Sequence, residues 1–343
     1  MTEHSLPVTR TIPRAKADAA RKLQIALGAI WLIDGALQLQ PFMFRRSFVT
    51  QIIVPTEAGQ PSVIAAPIRL VAHLIEPRVA LFNVFAVAIQ VLIGLGLMYR
   101  PTVRPALLTS FGWALGVWCV GEGLGGLFTG HASPLTGAPG AALLYVLAGL
   151  IAWPRARSRT GAPRVGGVLG ERGARGAWAL FWLGSAALWL LPANRADAAV
   201  HDAIANAPSG ARWLTSIQST VAPAAAGHGF AIALAAAGLS AAVGLAVLFA
   251  RWAKPTLVLS TTIGLICFVV GQGMGGILTG SGTDPGTGPL IILLAFAIYS
   301  FPPTARPLAW RHRRKSERSQ TPGRLSFPVD ANPQSTDVRP ATR

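Results

Sequence analysis

Charged residues are scarce in this chain of 343 residues. Asp, Glu, Lys and Arg make up 13% of it, whereas apolar residues make up 52% and the mean hydropathy is +0.48. A water-soluble fold of this size cannot hide that much hydrocarbon behind so little charge. The composition excludes an ordinary soluble domain and predicts an all-α integral membrane protein.

Cysteine and the common catalytic motifs are also rare or missing. The chain has two cysteines, Cys119 and Cys267, and neither belongs to a Cys-x-x-Cys pair. A disulfide-stapled secreted fold is therefore excluded. No His-Glu-x-x-His sequence, phosphate-binding loop or Ser/His/Asp set indicates a hydrolase, an ATPase or a thiol oxidoreductase acting alone. The sequence favours a protein that is not an enzyme by itself.

Acidic residues are fewer than basic ones, 13 against 30, which gives a net charge of +17. When the apolar segments are placed across a bilayer, 24 of the 30 Lys and Arg residues fall on one side. Membrane proteins retain basic residues in their cytoplasmic loops. The pattern predicts that both termini are cytoplasmic, and it makes the lipid bilayer, rather than nucleic acid, the partner of the basic surface.

The most informative feature that is present is an internal duplication. The sequence VGEGLGGLFTG at 120–130 returns as VGQGMGGILTG at 270–280, which is 150 residues later. Further matches keep nearly the same spacing: residues 31–41 align with 182–192, Gly94-Leu95 with Gly244-Leu245, and Pro139 with Pro289. The chain is therefore predicted to contain two copies of one structural unit.

Eight apolar segments are long enough, or nearly long enough, to cross a bilayer. They lie at about 23–42, 79–98, 105–128, 138–153, 176–192, 229–250, 255–279 and 288–302. Four spans per copy predict parallel four-helix repeats related by an axis along the membrane normal, although the short fourth, fifth and eighth segments also fit re-entrant pieces. The expected parts are a basic cytoplasmic tail (1–21), the first repeat (22–154), a basic cytoplasmic linker (155–175), the second repeat (176–303) and a disordered cytoplasmic tail (304–343).

The end of the second span carries a resemblance to a known family. Gly94-Leu95-Gly96-Leu97-Met98-Tyr99-Arg100-Pro101 is followed by Arg104-Pro105, and Gly244-Leu245-Ala246 with Lys254-Pro255 repeats this pattern more weakly. With a long loop after the first span and two further spans, each copy resembles the four-helix DoxX/DoxD-like membrane proteins. The resemblance implies a subunit or partner of a membrane redox system, such as thiosulfate:quinone oxidoreductase. This chain differs in being duplicated.

The glycine-rich segments allow two structural interpretations. A dinucleotide-binding loop is excluded, because that motif follows a strand and opens a helix, and here it ends a membrane span. The favoured interpretation is a helical ridge of small residues that packs closely against other helices. The glycines of this ridge are Gly121, Gly125, Gly126, Gly271, Gly275 and Gly276. The alternative is a helix that unwinds here and places Glu122 beside a polar cavity.

Two ionisable residues, Asp34 and Glu122, lie inside predicted spans, where each costs about 2.5–3.5 kcal/mol on insertion scales. Gln38 follows Asp34 by one helical turn and shares its face. The counterparts in the second copy are Ser185 and Gln272, which are neutral. We expect Asp34, Gln38, Glu122 and Gln272 to be candidates for ligand or proton binding, with structural hydrogen bonding as the alternative.

Four histidines are predicted on the outer face or at the span ends there, namely His73, His131, His201 and His228. None has the spacing of a metal site on its own. Brought together with a carboxylate, they could bind copper, zinc or haem. Scattered surface histidines are the simpler interpretation. The cofactor, whether quinone, haem, copper or none, stays open at this point.

Three functions remain. The leading hypothesis is an accessory or quinone-facing subunit of a membrane redox or stress system, with a redox protein as its partner. A transporter for a small solute or ion, with a proton-linked site between the repeats, is the second. The third is a membrane scaffold, which would leave its polar groups paired and sealed. The preference for Arg over Lys, with abundant Ala and Gly, favours a bacterial plasma membrane.

Overall fold

The computed structural model describes residues 12–154 and 166–299, and these ranges belong to one folded unit. The described residues form helices and turns and contain no strand. The tail predicted at 304–343 lies outside the described residues, as do 1–11 and most of the predicted linker. The expectation of an all-α protein is confirmed.

Residues 12–154 of the first half contain five helices of more than one turn. They are α1 (Ile12–Leu37), α2 (Ser62–Ile75), α3 (Val79–Met98), α4 (Val103–Gly116) and α5 (Ala141–Ala152). Short helical turns fill the segment from Pro41 to Glu57, between α1 and α2. α1 begins well before the apolar run predicted at residue 23, because the preceding residues are rich in Ala, Lys and Arg, which are strong helix formers.

The described part of the second half, 166–299, contains six helices. They are α6 (Gly170–Trp189), α7 (Ala199–Ala205), α8 (Arg212–Ala225), α9 (Gly229–Ala246), α10 (Ala253–Ile266) and α11 (Thr287–Tyr299). The start of α6 at Gly170 lies inside the predicted linker 155–175, so the helical part of the second half begins earlier than expected.

Among the described residues, four helical segments are long and apolar enough to cross a membrane. They are Ser62–Met98, Arg100–Gly121, Gly229–Ala246 and Ala253–Gly271. α5 and α11 are apolar but shorter, with 12 and 13 residues. The structure therefore supports a multi-pass membrane protein through four candidate spans.

Each half packs its first helix closely against the helix that ends in the Gly-Leu segment. In the first half a Cβ added at Gly28 of α1 would lie 2.8 Å from the carbonyl oxygen of Gly94 of α3. In the second half a Cβ at Gly244 of α9 would lie 3.1 Å from the carbonyl oxygen of Ala179 of α6. Small residues let the two backbones approach in this way. The matched positions Gly94 and Gly244 thus make the same kind of contact.

The two halves exchange loops at one end of the molecule. The loop before α5 reaches the second half, where Asn194 donates a hydrogen bond of 2.7 Å to the carbonyl oxygen of Ala132. Leu135 of this loop is buried with Trp189 and other apolar residues of the second half. The loop before α11 contacts the first half, where Gln40 donates a hydrogen bond of 3.3 Å to the carbonyl oxygen of Gly282. Each half thus helps to complete its neighbour.

The glycine-rich segments unwind the ends of both long spans. A π-helical turn, Val117–Gly121 or Cys267–Gly271, ends each span and is followed by a 3₁₀ turn, Gly123–Gly126 or Gly273–Gly276. Leu124 has a φ of 55° in the first turn and Met274 a φ of 58° in the second. The spans therefore end at 121 and 271, rather than near 128 and 279 as predicted.

The predicted helical ridge is wrong for four of its glycines. Gly125, Gly126, Gly275 and Gly276 all have positive φ, which a right-handed helix cannot contain. Gly121 and Gly271 each end a π-helical turn. Gly125 and Gly275 pack against loops and not against helices. A Cβ at Gly125 would lie 2.9 Å from the Cα of Pro139, and a Cβ at Gly275 would lie 2.8 Å from the Cα of Pro285. The unwound alternative is the one observed.

These contacts also revise the alignment of the halves. Gly125 packs on Pro139 and Gly275 packs on Pro285, so the structural counterpart of Pro139 is Pro285. The match of Pro139 with Pro289 is therefore a coincidence of spacing. It arose because the loop before α11 is shorter than the loop before α5, so the offset of 150 residues does not continue into these last helices.

Candidate functional site

Asp34 is the most buried acidic residue of the described chain, with 2% of its surface exposed. Its Oδ2 accepts a hydrogen bond of 2.5 Å from the hydroxyl of Tyr145, which α5 supplies. The ring of Tyr145 packs on Trp31, one turn before Asp34 on α1, with a centroid distance of 4.4 Å. Asp34 Oδ1 has no hydrogen-bond partner in the described protein. Half of this carboxylate is therefore available to a ligand.

Glu122 is placed by the π-helical turn before it. Its backbone N–H donates to the carbonyl oxygen of Val117, five residues back, at 2.9 Å. The side chain then reaches the first turn of α5, where Oε1 accepts a hydrogen bond of 3.0 Å from the N–H of Ala142. A carboxylate is favourable at a helix N-terminus. Oε2 has no partner in the described protein, so Glu122 also presents one free oxygen.

Gln272 repeats this capping without leaving an atom free. Its Oε1 accepts a hydrogen bond of 2.9 Å from the N–H of Thr287, the first residue of α11. Its Nε2 donates to the hydroxyl of Thr287 at 2.8 Å. A neutral amide therefore suffices to close the second helix N-terminus. The contrast indicates that the charge and the spare oxygen of Glu122 serve something other than capping.

A cavity of about 370 Å³, here called the inner cavity, lies among α1, α3, α4 and α5 of the first half. Asp34, Gln38 and Glu122 line it, together with Tyr145 and with Asp284 from the loop of the second half. Its other walls are mostly apolar and include the aromatic residues Trp31, Phe48, Phe82 and Trp113.

Unsatisfied polar atoms concentrate in this cavity. Five residues of its lining each have a buried atom without a hydrogen-bond partner in the described protein: Asp34 Oδ1, Gln38 Oε1, Gln90 Oε1, Trp113 Nε1 and Glu122 Oε2. Buried polar groups normally find partners, since a buried group left unpaired costs about 1–3 kcal/mol. The cluster is typical of a site that a ligand or ordered water completes.

The lining of the inner cavity is acidic without compensation. It contains three carboxylates, those of Asp34, Glu122 and Asp284, and its described residues include no Lys, Arg or His. Asp284 is held by its own loop, because Oδ1 accepts a hydrogen bond of 2.7 Å from Gly286 N–H and Oδ2 one of 2.9 Å from the Thr283 hydroxyl. Burial raises the pKa of the Asp284 carboxyl above its usual value, and those two hydrogen bonds oppose the shift. The site therefore favours a cation or protons over an anion.

A second cavity of about 780 Å³, here called the vestibule, lies between the exchanged loops. Its lining includes the exposed residues His131, Thr136 and Asp202, so it opens to solvent. Glu122 and Asp284 line both the vestibule and the inner cavity. These two carboxylates therefore stand where one cavity meets the other.

The predicted site of four residues is only partly assembled. The inner cavity is lined by Asp34, Gln38 and Glu122. Gln272 instead lines the vestibule, and its side chain is hydrogen-bonded to Thr287. Tyr145 and Trp113 were not predicted to belong to the site. Asp284 accepts a hydrogen bond from the N–H of Gly286 within its own turn, and it does so beside the cavity.

The predicted histidine metal site is not formed. In the described part of the chain, no group of three or more His, Cys, Asp or Glu side chains could hold a metal ion. His73 is exposed on α2, and His131 is exposed in the loop before α5. His201 pairs with Asp202 at 2.9 Å, and His228 contacts the carbonyl oxygen of Ala226 at 2.8 Å. The four histidines therefore do not come together as a shared metal centre in the described residues.

The fold and site together define an all-helical protein with candidate membrane spans and an acidic cavity in its first half. Comparisons with protein-family models, with curated proteins and with solved structures found no match for this chain.

Proposed function

We propose that the chain is a bacterial plasma-membrane protein with eight spanning segments, arranged as two parallel four-helix repeats with both termini in the cytoplasm. The matching π-helical and 3₁₀ turns of the two halves support the repeats, as do the matching contacts at Gly94 and Gly244. α5 and α11 span only about 18–20 Å at 1.5 Å per residue, so the bilayer would be thinner where they cross it. The distribution of Lys and Arg supports the orientation.

The proposed activity is the binding and proton-linked transport of a small organic cation. The observation that carries it is the free Oδ1 of buried Asp34 in a cavity whose lining has three carboxylates and no basic residue. A buried carboxylate must be neutralised by a proton or by a cation. Because the described protein supplies no cation in this lining, the ligand would supply it. Aromatic walls suit the same ligand, since cations bind to the faces of aromatic rings.

Proton linkage follows from the same site. A carboxylate that binds a cation must first lose its proton, and it regains a proton when the cation leaves. Glu122 and Asp284 line both cavities, so cation and proton would pass the same two groups on the way between the vestibule and Asp34. Because the carboxylates hold either the cation or a proton, movement of the cation in one direction is coupled to movement of protons in the other.

A scaffold without a ligand is less well supported. That hypothesis expects paired and sealed polar groups, whereas Asp34, Gln38, Gln90 and Glu122 each leave a buried oxygen without a partner in the described protein. Such groups cost stability unless a ligand or water satisfies them.

A matched series of ligands tests the proposed activity. The purified protein in lipid nanodiscs is titrated calorimetrically with 4-phenylbutylamine, with neutral 4-phenylbutanol and with anionic 4-phenylbutyrate. We expect the amine to bind at least about 10-fold more tightly than the alcohol, because it alone neutralises a carboxylate, and the acid not to bind. Equal binding of all three, or tighter binding of the acid, would refute the charge selectivity on which the proposal rests.

A quinone site that serves a membrane redox partner is the second candidate, and Trp113 favours it. Its Nε1–H is buried, has no acceptor in the described protein and belongs to an aromatic cavity, where it could donate to a quinone carbonyl. The paired Asp34 and Tyr145 could then supply a proton. This candidate agrees with the DoxX-like resemblance of 94–105. The quinone site would be favoured over transport if the protein bound decylubiquinone but not 4-phenylbutylamine. The binding of decylubiquinone should then be lost in Trp113→Phe.

The binding of a permanent cation should depend on pH through Asp284. Its pKa is raised by burial. As the pH falls, the carboxyl therefore takes up a proton and loses its charge at a higher pH than an ordinary aspartate does. We therefore expect the affinity for 4-phenylbutyl-trimethylammonium, which does not titrate, to fall as the pH is lowered, and to begin to fall at a higher pH than an ordinary aspartate would cause. Asp284→Asn should make this profile shallower, because it removes one of the three carboxylates of the lining. A flat profile in the unmodified protein would contradict the prediction.

A further inference from the structure

We infer that the inner cavity opens sideways into the outer leaflet of the bilayer at Gly112 and Gly116, and that its ligand is a lipophilic amine that arrives through the lipid. The two glycines lie one turn apart on α4, are exposed, and line the inner cavity. A Cβ added at either position would meet no atom within 4 Å. This inference rests on the proposed function, because it concerns the same cavity and names the class of its ligand.

The cavity runs from the carboxylate to the surface along one helix. Trp113, Val117 and Val120 of the same helical segment line it, and all three are half-buried. Phe82 of α3 stacks on Trp113 with a centroid distance of 6.4 Å and lines the cavity as well. The buried end holds the unpaired Oδ1 of Asp34, and the exposed end consists of the two glycines. An amine with an apolar body matches this order of polar and apolar walls.

The second half differs at the same place. The residues 150 positions after Gly112 and Gly116 are Thr262 and Ile266, which both carry β-branched side chains. Where the first half has Gln38 at its cavity, the second has Trp189, which packs with Leu135 in a buried apolar cluster. The two exposed glycines and the buried Asp34 thus occur together in the first half.

Exposed glycines elsewhere on the helices do not share this arrangement. Gly184 of α6 and Gly238 of α9 also face open space, with no atom within 4 Å of an added Cβ. Neither lines the inner cavity or the vestibule. They therefore provide control positions at which a larger side chain changes the lipid-facing surface alone.

A lipid-tailed ligand tests the opening. N-octadecyl-4-phenylbutylamine carries the same phenylbutyl group on a secondary amine that is also protonated, but its chain must stay in the bilayer, because transfer of the chain to water is strongly unfavourable. It can reach Asp34 only if the cavity opens to lipid. We expect it to bind the unmodified protein in nanodiscs, and to bind Gly112→Leu/Gly116→Leu at least about 30-fold more weakly, whereas 4-phenylbutylamine, entering from the vestibule, changes less than about 3-fold.

Two variants keep the comparison interpretable. Gly238→Leu should bind both amines as the unmodified protein does. Gly184→Leu, at the second control position, should do the same, so that a loss confined to Gly112→Leu/Gly116→Leu reflects blockage of the opening.

The outcomes distinguish this inference from the proposed function. If 4-phenylbutylamine binds but the tailed amine does not, the lateral opening is refuted and the cation site remains. If the tailed amine binds the Gly112→Leu/Gly116→Leu variant unchanged, the opening lies elsewhere and this inference fails. If neither amine binds the unmodified protein, the proposed function fails, and the inference fails with it.

Discussion

Asp34→Asn should lower the affinity for 4-phenylbutylamine about 100-fold, which corresponds to about 2.7 kcal/mol. Removal of one partner from a buried charge pair typically costs about 2–5 kcal/mol, because the other charge is left without compensation in a poorly solvated site. Asp34 is the carboxylate best shielded from water, with 2% of its surface exposed, so its share of the binding energy should be the largest.

The fold should survive this substitution. Asparagine has nearly the shape of aspartate, and its side-chain oxygen can still accept the hydrogen bond from the Tyr145 hydroxyl. The matched control is Ser185→Ala, at the position of the second half that corresponds to Asp34. Ser185 donates to the carbonyl oxygen of Phe181 in its own helix and lines neither cavity. Its removal should leave amine binding within about 2-fold of the original value.

Calorimetric titration of both variants in nanodiscs provides the measurement. An unchanged affinity in Asp34→Asn would place the cation elsewhere, with the free oxygen of Glu122 as the next group to test. Loss of binding in both variants would instead point to a general disturbance of the helices around α1 and α6.

Part of the site could be predicted from the sequence because it depends on local geometry. Asp34 and Gln38 are four residues apart on one helix, so a shared face follows from the helical repeat alone. Glu122 stood out because a charge inside an apolar segment is costly. The structure places all three at the same cavity.

The rest of the site depends on contacts between distant segments. Asp284 reaches the cavity only because the loop before α11 crosses to the first half. An alignment with a constant offset of 150 residues pairs Asp284 with Pro134, which does not line the inner cavity, so the alignment gave no sign of this contact. Tyr145 lies in an apolar helix and was not singled out. One signal was present, because it is one of only three tyrosines in the chain.

The glycine-rich segments show why one pattern allowed two structures. Their spacing suits a helical ridge as well as an unwound turn, and glycine favours both. What decides between them is the backbone of Leu124 and Met274, which have positive φ although they are not glycine. Such a conformation costs about 1–3 kcal/mol and persists only where the surroundings hold it in place. Those surroundings are the loops that end at Pro139 and Pro285, which the pattern itself does not reveal.

Gly275→Ala should destabilise the protein by about 2–4 kcal/mol and displace Asp284 from the cavity. Gly275 has a φ of 67°, so any side chain there is strained. An added Cβ would lie 2.6 Å from the carbonyl carbon of Pro285 and would also overlap the carbonyl oxygen of Asp284. Because both obstacles are backbone atoms, the loop itself must move, and steric overlap of this kind is among the most destabilising effects of a single substitution.

Gly112→Ala is the matched control, since it makes the same chemical change in a right-handed helix with no atom within 4 Å of the new methyl group. There alanine should be neutral, or stabilising by up to about 1 kcal/mol, because it favours a helix more than glycine does. Thermal unfolding in detergent, followed by loss of the monodisperse peak, compares the two variants. If Gly275→Ala unfolded at the same temperature as the unmodified protein and bound 4-phenylbutylamine equally well, the tight contact between the glycine turn and the loop of Asp284 would not exist in solution. The carboxylate would then not be held at the junction of the two cavities, and the proposed route from the vestibule to Asp34 would lose one of the two carboxylates along it.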